Sequence, residues 1–302
     1  MRTVAAQSTT RSEANRMVDE MTGGMGLTVS RNEIAVHLPS NLKRLTICFC
    51  SNLVTVLDEE QVSGSCNNTS CQTLPDRLGK MELSSCSNLA TLTSTGNLPK
   101  AVRYHSIQRF SINDCEKLET LPCNNNLISL KKLEIWKCPA MVSIPEGGFP
   151  TSLTSLVLVD TDICKSLFEW GLNRLTSLEV LEINGGCPDV MSFPQEEIGM
   201  ILPVSLKSLH ISHFPNLERI SSIAQNLTCL EKLTISYCPK LKYFPDDGLP
   251  QSLKQYGIMD CPLLEERCKE GEGLYWSMIG QLSDRVSRSF DHSDYTSQSE
   301  EE

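Results

Sequence analysis

Fourteen cysteines in 302 residues offer three chemistries: disulfides, a metal centre or a nucleophilic thiol. Cys50, Cys86, Cys115, Cys138, Cys238 and Cys261 all close one pattern, L-x-x-L-x-L-x-x-C, and Cys187 lies one residue beyond it. Equivalent positions in stacked turns fall on one line, so these thiols are expected buried and reduced, as in a reducing compartment. Cys48 and Cys50 are spaced i, i+2, but no second cysteine or histidine pair completes four ligands. Five histidines remain: His37, His105, His210, His213 and His292. Neither His210 nor His213 has a nucleophile fixed beside it. Glu134 and Glu182 are two turns apart, roughly 10 Å, loose for a carboxylate pair. No G-x-x-x-x-G-K-[ST] phosphate loop is present. Gly147-Gly148 and Gly271 to Gly273 read as turns. The sequence therefore predicts no catalytic residue, no cofactor and no metal, and the chain is not expected to be an enzyme.

The element that must position anything else is shown by LEKLTISYCPKLKYFP, Leu230 to Pro245. Leu233 and Ile235 are two apart and share one face of a short strand, leaving Lys232, Thr234 and Ser236 on the other. Cys238 follows at the corner, where its thiol can donate weakly to a backbone carbonyl. Leu241 and Phe244 return to the same core. The frame also begins at Leu42, Leu78, Ile107, Leu130, Leu153, Leu178, Leu206 and Leu253, with spacings from 23 to 36 residues. Nine copies with a period in the twenties identify a leucine-rich repeat. One unit cannot bury its apolar side alone, and stacked units share a core. The expected fold is an α/β solenoid, a horseshoe with a parallel β-sheet on its concave side.

Residues 1–37 carry no repeat frame and are expected to be partly disordered. The repeats fill 38–264, with an irregular polar insert at 57–77. Residues 265–280 form a C-terminal cap, with Leu274, Tyr275, Trp276 and Ile279 as its apolar anchors. Residues 281–302 are rich in Ser, Asp and Glu and read as a disordered acidic tail. The formal charge of −10 argues against nucleic acid as a partner, which would call for a basic stripe. No apolar run reaches the length of a membrane span, and the first residues lack a signal core, so a cytoplasmic location is expected.

The concave face remains as the working surface. Strand phase turns Arg109, Lys132, Glu134, Trp136 and Val157 outward in the middle of the chain. Further along it turns out Glu182, His210, Lys232 and Thr234, with Lys137 and Tyr237 at the edge. Trp136 is the one large ring on this face, and tryptophan is enriched at binding hot spots.

Three phrases are more specific than a generic repeat: LKKLEIWKCPAMVSIPEGGFPTSLTSL, LEKLTISYCPKLKYFPDDGLPQSLKQYGIMDCPLLEERC and KEGEGLYWSMI. They resemble the C-terminal repeats of plant intracellular immune receptors, the coiled-coil nucleotide-binding leucine-rich-repeat disease-resistance proteins, over about residues 38–279. The resemblance implies a non-catalytic recognition module that senses a pathogen effector or a host guardee. It also implies restraint of a nucleotide-binding switch domain, whose phosphate loop this sequence does not contain. The implied partners are proteins, and any membrane association would come through them. An intracellular adaptor, such as a substrate receptor for ubiquitin ligation, is the alternative.

Overall fold

The computed structural model describes residues 26–30, 41–51, 53, 55–57, 77–93, 105–122, 127–145, 147–223, 227–275, 277–278 and 287–288. The chain divides into two compact units, Met1–Leu178 and Glu179–Glu302.

The first unit holds β1 (Gly26–Ser30), β2 (Arg44–Cys48), β3 (Thr55–Leu57), β4 (Lys80–Ser84), β5 (Thr91–Thr93), β6 (Arg109–Asn113), β7 (Lys132–Trp136) and β8 (Ser155–Val159). β1, β2, β4, β6, β7 and β8 are hydrogen-bonded in that order, all parallel. Register is strict: Leu45, Met81, Phe110, Leu133 and Leu156 align, and so do Ile47, Leu83, Ile112, Ile135 and Leu158. All ten are buried. β3 and β5 pair separately, on the returning arms of their turns. The second unit holds β9 (Val180–Asn184), β10 (Ser192–Phe193), β11 (Ser208–Ser212), β12 (Arg219–Ile220), β13 (Lys232–Ser236), β14 (Gln255–Met259) and β15 (Ser287–Arg288). β9, β11, β13, β14 and β15 form its parallel ladder, and β10 pairs with β12. Each unit is a parallel-sheet leucine-rich-repeat solenoid.

Why the turns stack is visible at each corner. The residue after each frame strand has positive φ: Phe49, Ser85, Asp114, Lys137 and Asp160 in the first unit, and Gly185, His213, Tyr237 and Asp260 in the second. At all of these corners but Asp160 and Asp260 the N–H donates to the last strand carbonyl of the next turn, as in Phe49 to Ser84, Asp114 to Trp136 and Tyr237 to Met259 (2.9–3.0 Å). The cysteine that follows donates its thiol to the carbonyl two residues back, from Cys50, Cys86, Cys115, Cys138, Cys238 and Cys261 at 3.2–3.6 Å. These are the buried thiols expected from the frame, and all are free. Thr161 takes the slot in its turn and donates to Cys138 O at 3.2 Å. Phe214 fills it in another, edge-on to Phe193.

A further core column precedes six of the nine starts by three residues. Leu127, Pro150, Leu175, Pro203, Leu227 and Pro250 are buried, and each accepts the N–H of the starting leucine. Serines just before the start cross-link turns: Ser106 donates to Leu78 O, Ser152 to Leu130 O and Ser252 to Leu230 O, at 2.8–3.0 Å. Most returning arms are extended, but one is helical. α1 (Cys164–Trp170) buries Cys164, Leu167 and Phe168, spaced i, i+3, i+4, and ends at Gly171 with φ 99°. Trp170 packs edge-on to Phe149 against Gly148, whose φ is +83° and where any Cβ would lie 2.3 Å from the indole.

The ends differ from expectation. β1 extends the ladder into residues 1–37, with Leu27 and Val29 in register with Leu45 and Ile47. β15 places a strand inside the expected tail, beside β14. The remainder of the 57–77 insert up to residue 76 lies outside the described residues, as do Trp276 and Ile279. Of the other cap anchors, Tyr275 meets Phe244 edge-on at 5.5 Å, whereas Leu274 is 68% exposed and anchors nothing. The short helix α2 (Pro262–Arg267) buries Leu264 instead.

Candidate functional site

Alternation along each strand leaves one row in the core and the other on the outer face. In the first unit that face carries Arg109, Lys132, Glu134, Trp136 and Val157 on three adjacent strands. Arg109 is exposed and in register with Lys132, and Glu134 with Val157. Lys132 Nζ lies 2.9 Å from Glu134 Oε1. Trp136 stands between Asn113 and Val159 and is half-buried rather than freely exposed. Val157 departs from the expected outward contact: it is only 6% exposed, a short side chain overtopped by the longer Glu134 beside it. The same face continues over Arg44, Lys80 and Glu82, which the sequence reading passed over. Extending the strand phase to the first two turns would have found them.

In the second unit Glu182, His210 and Thr234 occupy one register row, and Lys232 sits in the row beside it. Thr234 also departs from expectation, at 7% exposure, between His210 and Gly257. His210 Nε2 lies 3.4 Å from Ser236 Oγ. Burial first, then the charges of Lys232 and His213, pull its pKa down to about 4, so the ring is neutral at pH 7. Tyr237 stacks on His213, centroids 4.5 Å apart at 21°. Glutamate, histidine and serine thus gather here, the residue types of a hydrolytic triad. Ser236 is 2% exposed, so its hydroxyl cannot meet a substrate carbonyl in the geometry acyl transfer needs.

Neighbouring thiols of the column act in pairs: Cys86 is pulled down to about 6 and Cys238 is pulled down too, each first by the hydrogen bond from the sulfur of the next turn (Cys115 and Cys261), while all four stay buried. Cys115 and Cys261 are pushed up, first by the sulfur of the adjacent turn (Cys86 and Cys238) and then by burial. Burial raises Cys138 likewise. Among the described residues no group of three His, Cys, Asp or Glu side chains could hold a metal ion. No helix among them is long and apolar enough to cross a membrane.

No protein-family model matches the chain. A putative disease resistance protein of Arabidopsis thaliana is 37% identical over 170 residues, 56% of this chain and 12% of that protein. The disease resistance protein RPS4B of the same plant is 25% identical over 237 residues, 76% of this chain and 17% of its own length. The chain thus spans less than a fifth of either relative. Among solved structures, the leucine-rich repeat domain of a type III effector superposes with TM-score 0.54 at 20% identity, covering 84% of this chain and 82% of that one. The chain is a leucine-rich-repeat protein whose curated relatives are plant disease-resistance proteins.

Proposed function

We propose that this chain is a non-catalytic recognition module of a plant immune receptor, working in the cytoplasm and contacting another protein through the outer face of its ladder. The observation that carries this is the pairing of disease-resistance relatives with an open, mixed face bearing charge, a large ring and aliphatic area side by side. An open sheet suits a protein surface better than a small ligand, which wants an enclosed cavity. The partner is a pathogen effector, a host guardee or a nucleotide-binding switch domain, the last being restrained by the contact. Trp136 is the anchor, with Arg109, Lys132 and Glu134 around it. Glu182, His210, Lys232 and Tyr237 form the corresponding face of the second unit. Val157 and Thr234 support the face from below.

Replacing Trp136 with Ala tests the reading. Affinity for a partner captured from plant extract and then purified should fall by about 2 kcal/mol. The melting temperature should move by only a few degrees, because the ring is half outside the core. Unchanged binding would remove this site. A large stability loss would make Trp136 structural and shift the search to Lys137 and Tyr237.

A further inference from the structure

The outer face of the first unit has a periodic charge pattern. At the first position of successive strands stand Arg44, Lys80, Arg109 and Lys132, aligned by register. At the third position stand Thr46, Glu82, Ser111 and Glu134, aligned likewise. Each lysine is neutralised by the glutamate of its own strand: Lys80 to Glu82 at 2.7 Å and Lys132 to Glu134 at 2.9 Å. Neither arginine has an ion-pair partner among the described residues, and both guanidiniums are exposed. Positive charge without a direct ion pair among the described residues therefore stands on β2 and β6, about 10 Å apart at the usual strand spacing, although Arg44 also acts at longer range on Glu82. Exposed Lys43 and Lys131 flank the row on its entering side. In a chain of net charge −10 this is a local reversal of sign.

We infer that this row binds an extended acidic segment of a protein, in polyproline II form, carrying a carboxylate at every third residue. The inference rests on the recognition reading above and specifies the partner's chemistry on the same face. The spacing selects the conformation. A β-strand brings side chains to one face every second residue, about 7 Å apart, which misses the second arginine. A polyproline II segment presents every third residue on one side, about 9.3 Å apart, which meets both. An α-helix reaches a similar distance at i, i+7, but its N–H groups are already used. The polyproline II backbone keeps its N–H groups unpaired, and Glu82, on the strand between the arginines, and Glu134, on the strand beyond Arg109, can accept them. Glu82 already takes Lys80 on one oxygen and Thr46 on the other (2.7 Å), and a carboxylate has about four acceptor sites. The same two glutamates oppose a continuous polyanion.

The test is fluorescence anisotropy on the full chain at physiological ionic strength, using a labelled peptide of repeated Glu-Pro-Ala. Comparison probes are its Gln-Pro-Ala counterpart, a peptide with alternating glutamates, a helical peptide with glutamates seven apart, and an oligothymidylate. The Glu-Pro-Ala peptide should bind best. Arg44→Gln and Arg109→Gln should each weaken it about tenfold, and Lys80→Gln should weaken it less. Circular dichroism and melting should be unchanged in the arginine variants. Equal binding by both arginine variants, or tighter binding of the alternating peptide, the helix or the oligonucleotide, overturns the inference. If that happens while Trp136→Ala still abolishes capture of the purified partner, the recognition reading survives and only the ligand chemistry fails.

Discussion

His210 titrates far from an ordinary histidine because burial outweighs everything else around it. Its folded pKa of about 4 lies below the unfolded value of about 6.5. Above pH 6.5 neither state holds the proton, and the stabilisation is complete. Between about 6.5 and 4 the unfolded chain binds a proton that the folded chain refuses, so stability falls as pH falls. Below about 4 the slope ends. The loss should be on the order of 3 kcal/mol, read as a falling melting temperature over that window. His210→Gln should flatten the fall there. An unchanged pH profile in the variant would place the acid sensitivity elsewhere. The ion pairs Lys207–Glu179 and Lys254–Glu231 are exposed by comparison, and their removal should show chiefly as a changed salt dependence.

The frame strands are the elements most legible in the sequence. Each carries two apolar residues two apart, preceded three residues earlier by a leucine or, before β6, by Ile107, and all nine form with that phase. Ile235 is the sharpest check. It is fully buried, so Ile235→Asp would force an unpaired charge into the core at a cost of several kcal/mol. The variant should lose its folded circular dichroism signal or melt far lower, and wild-type-like melting would mean that the strand phase is wrong. β1 was missed because its Leu27 and Val29 lack the preceding leucine. β15 was missed because Ser287 and Arg288 have no apolar residue at all. The column at Leu127, Pro150 and Leu175 was missed because two residue types alternate in it. On the face, periodicity gave direction but not height. It gave Val157 and Thr234 the outer phase, yet both are buried, because whether a side chain clears its neighbours depends on which residues flank it across strands. The cationic row needed register too, since Arg44 and Arg109 are 65 positions apart in the chain.

At the scale of the whole molecule, stability in a repeat stack is distributed over nearest-neighbour contacts, and the thiols report on it. Cys50, Cys86, Cys115, Cys138, Cys238 and Cys261 are buried, whereas Cys229 is exposed. Alkylation followed by mass analysis should label Cys229 in the native protein and the column only once denaturant opens the fold. Rapid native labelling of the column would contradict the packing. Disulfides between column thiols in protein isolated without reductant would contradict the reducing compartment expected from the cysteine pattern. The left-handed corner has a consequence of another kind. At seven of the nine corners the amide after the strand is held by the next turn, so the scaffold fixes the conformation whatever side chain is attached. A non-glycine residue there costs roughly 1–2 kcal/mol, less for Asp, which occupies three of the corners, and more for a β-branched residue, which none of them carries. The nine corners carry Phe49, Ser85, Asp114, Lys137, Asp160, Gly185, His213, Tyr237 and Asp260: aromatic, hydroxyl, acidic, basic and bare. Substitution at this edge can rewrite the surface a partner meets while leaving the stack beneath it in place, and selection for new partners can act there with little penalty in folding.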